Sequence, residues 1–406
     1  MIDLTAHIPA GAGVCWSQGP AEPAPLIHAL LDQLPSIGTV RAFCGLSWDQ
    51  RLGDPPDGLS LTSYGALGTL RKAAGRGRLN VVPCHYSALP RLFAESALPR
   101  DVALLQVSPP DQDGQCSLGL GVDYIADALP HCTTVIAEIN ARMPRTRGPS
   151  VPLARFAATV ETDRPLPEAP DRAPDDTDRL IAGFVADLVP DGATIQIGVG
   201  PLPSAVLAAL SQHRELGFHS GMMTDGVLDL IEAGVLTGSR KEVDRGVAVT
   251  GAAFGSERLY TAVPGLPVEF RPASYTHAPD VLGRIRSLVA VNSAIEVDLT
   301  GQVGGELRDG RYIGTIGGQT DFSRAACHSG LRSVILLRAT ASGRSTIREA
   351  LADGVVTTAR ADVDAVVTEY GVALLRGRTL AQRARQLVAV AAPEHRDELA
   401  LAAKRY

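Results

Sequence analysis

Residues 193–204 read Ala-Thr-Ile-Gln-Ile-Gly-Val-Gly-Pro-Leu-Pro-Ser, and the fold class follows from them. Residues 193–197 have the length and β-branched content of a buried strand. Gly198-Val199-Gly200 supplies a turn, and a helix is expected from about Ser204. Strand, glycine turn and helix in succession suit an anion, because the N–H groups of a first helical turn have no intrahelical acceptor. Working outward, residues 177–188 read as the preceding helix. Val227, Leu230 and Ile231 at i, i+3, i+4 predict a helix over 225–233, capped by Asp225 and ended by Gly234. Residues 287–291, 294–299, 333–337 and 365–368 read as strands, as do 101–107 and 133–138 nearer the start. Thr379 and Gln382 form a capping-box pair, and Pro393 suits the first turn of a last helix. This alternation predicts an α/β protein. The acidic, proline-rich stretch 163–178 reads as a crossing between halves. The expected boundary lies near Asp171, giving subdomains 1–170 and 171–406.

Composition removes several function classes. Of 406 residues, 45% are apolar and 20% charged, which fits a globular chain with a core large enough to need no metal or disulfide staples. With 41 glycines and 28 prolines, a helical bundle or coiled coil is disfavoured. A net charge of -6 without a basic run argues against a nucleic-acid partner. No apolar run approaches the length of a membrane span. The first Arg is Arg41, so a secretory signal is not expected. The six cysteines have irregular spacing and form no C-x-x-C pair, as in a cytoplasmic protein with reduced thiols. The nine histidines do not cluster with carboxylates at ligand spacing, so no metal is expected. Aromatic residues are 4%, which disfavours a large aromatic pocket.

Five segments gather glycine and polar residues where strands end: 108–119 (SPPDQDGQCSLG), 138–148 (EINARMPRTRG), 217–226 (GFHSGMMTDG), 294–319 (AIEVDLTGQVGGELRDGRYIGTIGGQ) and 366–377 (VVTEYGVALLRG). Together they resemble the acetyl-CoA hydrolase/transferase family of the class I CoA-transferases. The runs IEVDLTGQV, GGQTDF and TEYGVA carry the resemblance, which extends over nearly the whole chain. It implies two open α/β subdomains packed face to face with the active site between them. It implies a homodimer or higher oligomer. Coenzyme A is then substrate and product, acyl-CoA and a small carboxylic acid are the partners, and no further cofactor is needed. In such enzymes a glutamate carboxylate attacks the thioester, CoA thiolate leaves and returns to form a glutamyl–CoA, and an oxyanion hole serves each step. By this resemblance Gly314, Gly317, Gly318 and Gln319 match the CoA loop. Gly198 and Gly200 match a second glycine turn. Glu369 lies in the Thr-Glu-Tyr-Gly segment, where it lines the pocket or caps a loop. Glu296 reads as a paired structural acid.

The sequence departs from that pattern at two places. The family's His-Thr-Glu-Met type segment reads His219-Ser220-Gly221-Met222, so Gly221 stands at the nucleophile's position. Where the family has an oxyanion-donating Asn, residues 274–279 carry His277. The expectation is that the missing side chain leaves room for water and that His277 is its base near neutral pH. His219 orients the loop and is the second candidate base. The leading expectation is an acyl-CoA hydrolase working without a glutamyl–CoA intermediate. The alternatives are a CoA-transferase with a displaced nucleophile, Glu369 or Glu296, and a non-catalytic acyl-CoA binding protein.

Overall fold

The computed structural model describes residues 2–170 and 172–406; Asp171, where the sequence places the boundary, lies outside the described residues. The chain divides into two compact units. One takes the chain up to Ala169 together with Val249–Thr276, the other Pro170–Ala248 and His277–Tyr406. A single boundary in the chain does not describe this division, because the returning segment bonds to the first unit. Val122 N donates to Gly251 O at 3.0 Å, Ala253 N to Leu120 O at 3.0 Å, and Phe270 N to Arg147 O at 2.7 Å. These are backbone pairings, to which side-chain pattern gives no clue.

The first unit is built on a seven-stranded sheet in the order Asn80–Val81, Leu59–Ser63, Val40–Phe43, Gly13–Trp16, Val102–Val107, Thr134–Asn140, Ala158–Thr162. All its pairings are parallel. Val102–Val107 is buried at every position, as a strand covered on both faces must be.

The second unit holds a six-stranded sheet in the order Gly217–Phe218, Thr194–Ile197, Leu288–Ser293, Arg332–Leu336, Ala365–Thr368, Gly371–Leu374. Its pairings are parallel except the last, an antiparallel return. The chain leaves Thr194–Ile197 first to one side and then to the other, so the order reverses between that strand and Leu288–Ser293. In open parallel sheets ligands bind outside the C-terminal strand ends at such a reversal.

The expected elements form, with local differences. The helix after the glycine turn is Pro201–Ala209, begun early because Gly200, at φ 121°, is its N-cap and Pro201 has a preset helical φ. Thr224 rather than Asp225 occupies the N-cap of Asp225–Glu232, since the extended backbone that defines a cap sits at Thr224. Gly234 has φ 71° just past that helix, as expected. The Thr379–Gln382 capping box closes both ways. Pro393 opens a 3-10 turn, Pro393–His395, ahead of the last helix Arg396–Ala403. Among the described residues no helix is long and apolar enough to cross a membrane.

Glu22 follows the first strand and the 3-10 turn Gly19–Ala21. It is buried, with Oε2 accepting from Trp48 N at 2.9 Å. Burial pushes its carboxyl up from 4.5 to about 8. Folded protein therefore keeps this proton where unfolded chain loses it. The stability Glu22 contributes is full below pH 4.5 and is lost as pH rises to about 8, a change of about 5 kcal/mol at 1.36 kcal/mol per unit. Glu22→Gln should keep the bond from Trp48 and lose this dependence, so the variant gains on the parent between pH 5 and pH 8. Denaturant melts at the two pH values test this, and an unchanged difference rejects it.

Candidate active site

The C-terminal edge of the second sheet carries the residues singled out by the sequence. His219 follows Gly217–Phe218, and its backbone N–H continues the parallel pairing by donating to Ile195 O at 3.1 Å. Ser220 Oγ donates to Ile197 O at 3.1 Å and ties the next loop to the neighbouring strand end. That loop presents Gly221. His277 directly precedes Ala278, the N-cap of the short helix Pro279–Leu282. Gly318 is the N-cap of helix Gln319–His328, and Phe322 lies in that helix.

These separate pieces of chain meet around the His277 ring. A Cβ on Gly221 would stand 2.7 Å from His277 Cε1 and 3.0 Å from Nε2. A Cβ on Gly318 would stand 2.4 Å from Nε2 and 2.7 Å from Cδ2. Gly318 has φ -85°, and Gly221 is not among the positive-φ residues. Backbone conformation thus permits any residue at either place, and the imidazole excludes one. Phe322 packs edge-on to the ring at 4.9 Å and 65°, and His219 lies 6.4 Å from Phe322.

This corrects two expectations. The space left by the missing side chain at 221 is filled by the ring. Nor does His277 titrate near neutrality. It is buried, at 4% exposure, and desolvation, helped by the neighbouring His219, pushes its pKa down to about 3. At neutral pH the ring is uncharged, with one N–H to donate and one nitrogen lone pair to accept a proton.

The loop glycines each have a reason internal to the protein. A Cβ on Gly314 would lie 2.0 Å from Gly305 O. Gly317 has φ 52°, a left-handed conformation costly for other residues. Gly318 makes room for His277. Gln319 donates to Thr358 Oγ1 at 3.1 Å, and Thr320 Oγ1 bonds Thr357 O at 2.7 Å, which fixes the start of the helix. At the other glycine turn, Gly198 is half-buried and Gly200 exposed. There Pro201 and Pro203 remove two N–H groups from the first turn of the helix, so the expected anion site is depleted of donors.

The two acidic candidates are engaged elsewhere. Glu296 is buried; it accepts from Ala352 N at 2.6 Å and pairs with Arg348 Nε at 3.2 Å. Glu369 follows strand Ala365–Thr368, and its Oε2 accepts from Ala339 N at 2.8 Å, bridging two strand ends. Both carboxylates are thus engaged in hydrogen bonds within the protein. Among the described residues no group of three or more His, Cys, Asp or Glu is placed to hold a metal ion.

With this geometry, the chain matches the acetyl-CoA hydrolase/transferase N-terminal domain over residues 3–162 and the C-terminal domain over residues 255–403. The chain belongs to the acetyl-CoA hydrolase/transferase family. It is 41% identical over 338 residues to a 4-hydroxybutyrate coenzyme A transferase of Clostridium kluyveri, covering 82% of this chain and 79% of that one. RipA from Yersinia pestis superposes with a TM-score of 0.93 at 33% identity, over 99% of this chain and 95% of that one. A more distant relative, an acetyl-CoA hydrolase of Neurospora crassa, is 23% identical over 451 residues, covering 95% of this chain and 84% of that one. The protein is thus an enzyme of the CoA-transferase or acetyl-CoA hydrolase kind, and the reading as a non-catalytic binding protein falls.

Within this family member the structure joins His219, Gly221, His277 and Gly318. It adds Phe322, which sequence reasoning passed over. Phe322 ends the GGQTDF run and was legible as part of it.

Proposed function

We propose that the enzyme hydrolyses acyl-CoA thioesters by direct attack of water, with no glutamyl–CoA intermediate. The observation that carries this reading is the imidazole of His277 filling the place of a side chain at Gly221. Water adds to the thioester carbonyl and gives its proton to the neutral His277 ring. The tetrahedral oxyanion then expels CoA thiolate, which takes the proton back, leaving a carboxylic acid and CoA. A resting pKa of about 3 makes a weak base. An oxyanion about 4 Å away strengthens it, by about 4 kcal/mol at an effective dielectric of about 20, or roughly three pKa units. His219 orients the loop that carries Gly221. The loop Gly314, Gly317, Gly318 and Gln319, with the turn Gly198 and Gly200, borders the CoA arm. The enzyme works as a homo-oligomer in the cytoplasm, a reading supported by the family and by the cysteine composition.

The second reading is CoA transfer to a carboxylic acid, favoured by the name of the 41% identical relative. Thiol release from acetyl-, butyryl- and 4-hydroxybutyryl-CoA, measured with and without acetate, separates the two. Release at the same rate without acetate is expected. Release that requires acetate would replace hydrolysis by transfer.

A further inference from the structure

Where strand order reverses in the second sheet, Gln196 and Asn292 form a reciprocal amide pair. Gln196 Nε2 donates to Asn292 Oδ1 at 3.1 Å, and Asn292 Nδ2 donates to Gln196 Oε1 at 3.0 Å. Both are buried, at 5% and 7% exposure. Each amide nitrogen has a second hydrogen and each amide oxygen a second lone pair. Among the described residues no further partner bonds them. Buried amide hydrogens without acceptors cost stability, so a built pair of this kind calls for a complement.

The register places the pair on the His277 side of the sheet. Gln196 pairs with Ala290, and Asn292 lies two residues beyond Ala290, so the three side chains share one face. On that face Ala290 belongs to the same buried cluster as Phe322, against which His277 packs. Helix Gln319–His328 connects parallel strands, so it runs back from their C-terminal edge. Gly318 is therefore nearer that edge than Phe322, just as Asn292 is nearer it than Ala290.

We infer that the Gln196–Asn292 pair is a subsite that reads an amide of the pantetheine arm. This rests on the CoA-thioester reading above. The chemistry selects the ligand class. The pair offers hydrogens and lone pairs side by side. A secondary amide, with one C=O and one N–H, answers both. A carboxylate or phosphate accepts only and would meet the oxygen lone pairs.

The test is calorimetric binding of CoA and of adenosine 3′,5′-bisphosphate, which has the nucleotide end of CoA and no amide arm. The proteins are the parent, Asn292→Ser, and the double variant Gln196→Met with Asn292→Leu, which removes both partners and leaves no orphaned amide. Both variants should bind CoA at least tenfold more weakly and the bisphosphate as the parent does. Equal loss for both ligands would make the pair purely structural, and no loss for either would remove it from the site. If a variant does not fold, the other carries the comparison. A parent that binds neither ligand would instead overturn the CoA-thioester reading itself.

Discussion

Replacing His277 by glutamine should lower acceptor-free hydrolysis of acyl-CoA by roughly 10²-fold or more, the usual contribution of a positioned proton acceptor. Glutamine keeps much of the ring's volume, so the packing against Phe322 and the two glycines is less disturbed than by alanine. The pH profile is the sharper readout. A ring whose pKa is held down near 3 stays neutral through the working range, so hydrolysis by the parent should show no step near pH 6.5. A step there that vanishes in His277→Gln would show a solvated ring and overturn the buried site. The same group makes a stability prediction. Its folded pKa lies below the unfolded value of 6.5, so its contribution is full above pH 6.5 and is lost as pH falls toward 3. The loss is about 5 kcal/mol, and His277→Gln should lose that much less between pH 7 and pH 3. Parent-like hydrolysis in His277→Gln would make His277 structural and leave His219 as the next base.

Gly221→Glu and the double variant Gly221→Glu with His277→Asn should differ in kind. In the single variant the new Cβ stands 2.7 Å from a carbon of the ring, inside van der Waals contact. The ring or the loop must move, at a cost of about 1–3 kcal/mol for overpacking a filled site, and hydrolysis should fall at least as far as in His277→Gln. In the double variant the smaller Asn frees that space. A carboxylate then stands beside an amide donor, and it is ionised at neutral pH without a base. It attacks the thioester and expels CoA thiolate to form an anhydride. The thiolate attacks the glutamyl carbonyl, releasing the carboxylate, and an acceptor acid completes the exchange. Acetate-dependent transfer should appear while hydrolysis falls, with a CoA adduct on intact mass at residue 221. A folded, CoA-binding double variant with neither transfer nor adduct would show that the site at 221 is not placed for attack.

The alternation of strands and helices, the glycine turn of residues 193–204, the Thr379–Gln382 box and the family itself are legible in the chain. Each depends on neighbouring residues or on contiguous runs that survive without knowledge of contacts. The absence of a carboxylate at Gly221 is equally plain. What tertiary structure decided is why the glycines are there. Gly221 and Gly318 have ordinary backbone angles, so no local rule asks for glycine at either. The requirement comes from one imidazole, distant from both in sequence, that lies against each. The same burial changed the chemistry assigned to His277. A histidine in a sequence carries its solution pKa, and only the apolar surroundings assembled by folding hold it uncharged. The return of Val249–Thr276 to the first unit and the pairing of Gln196 with Asn292 were hidden for the same reason. Both are set by strand order and backbone pairing between distant segments, to which side-chain periodicity is blind.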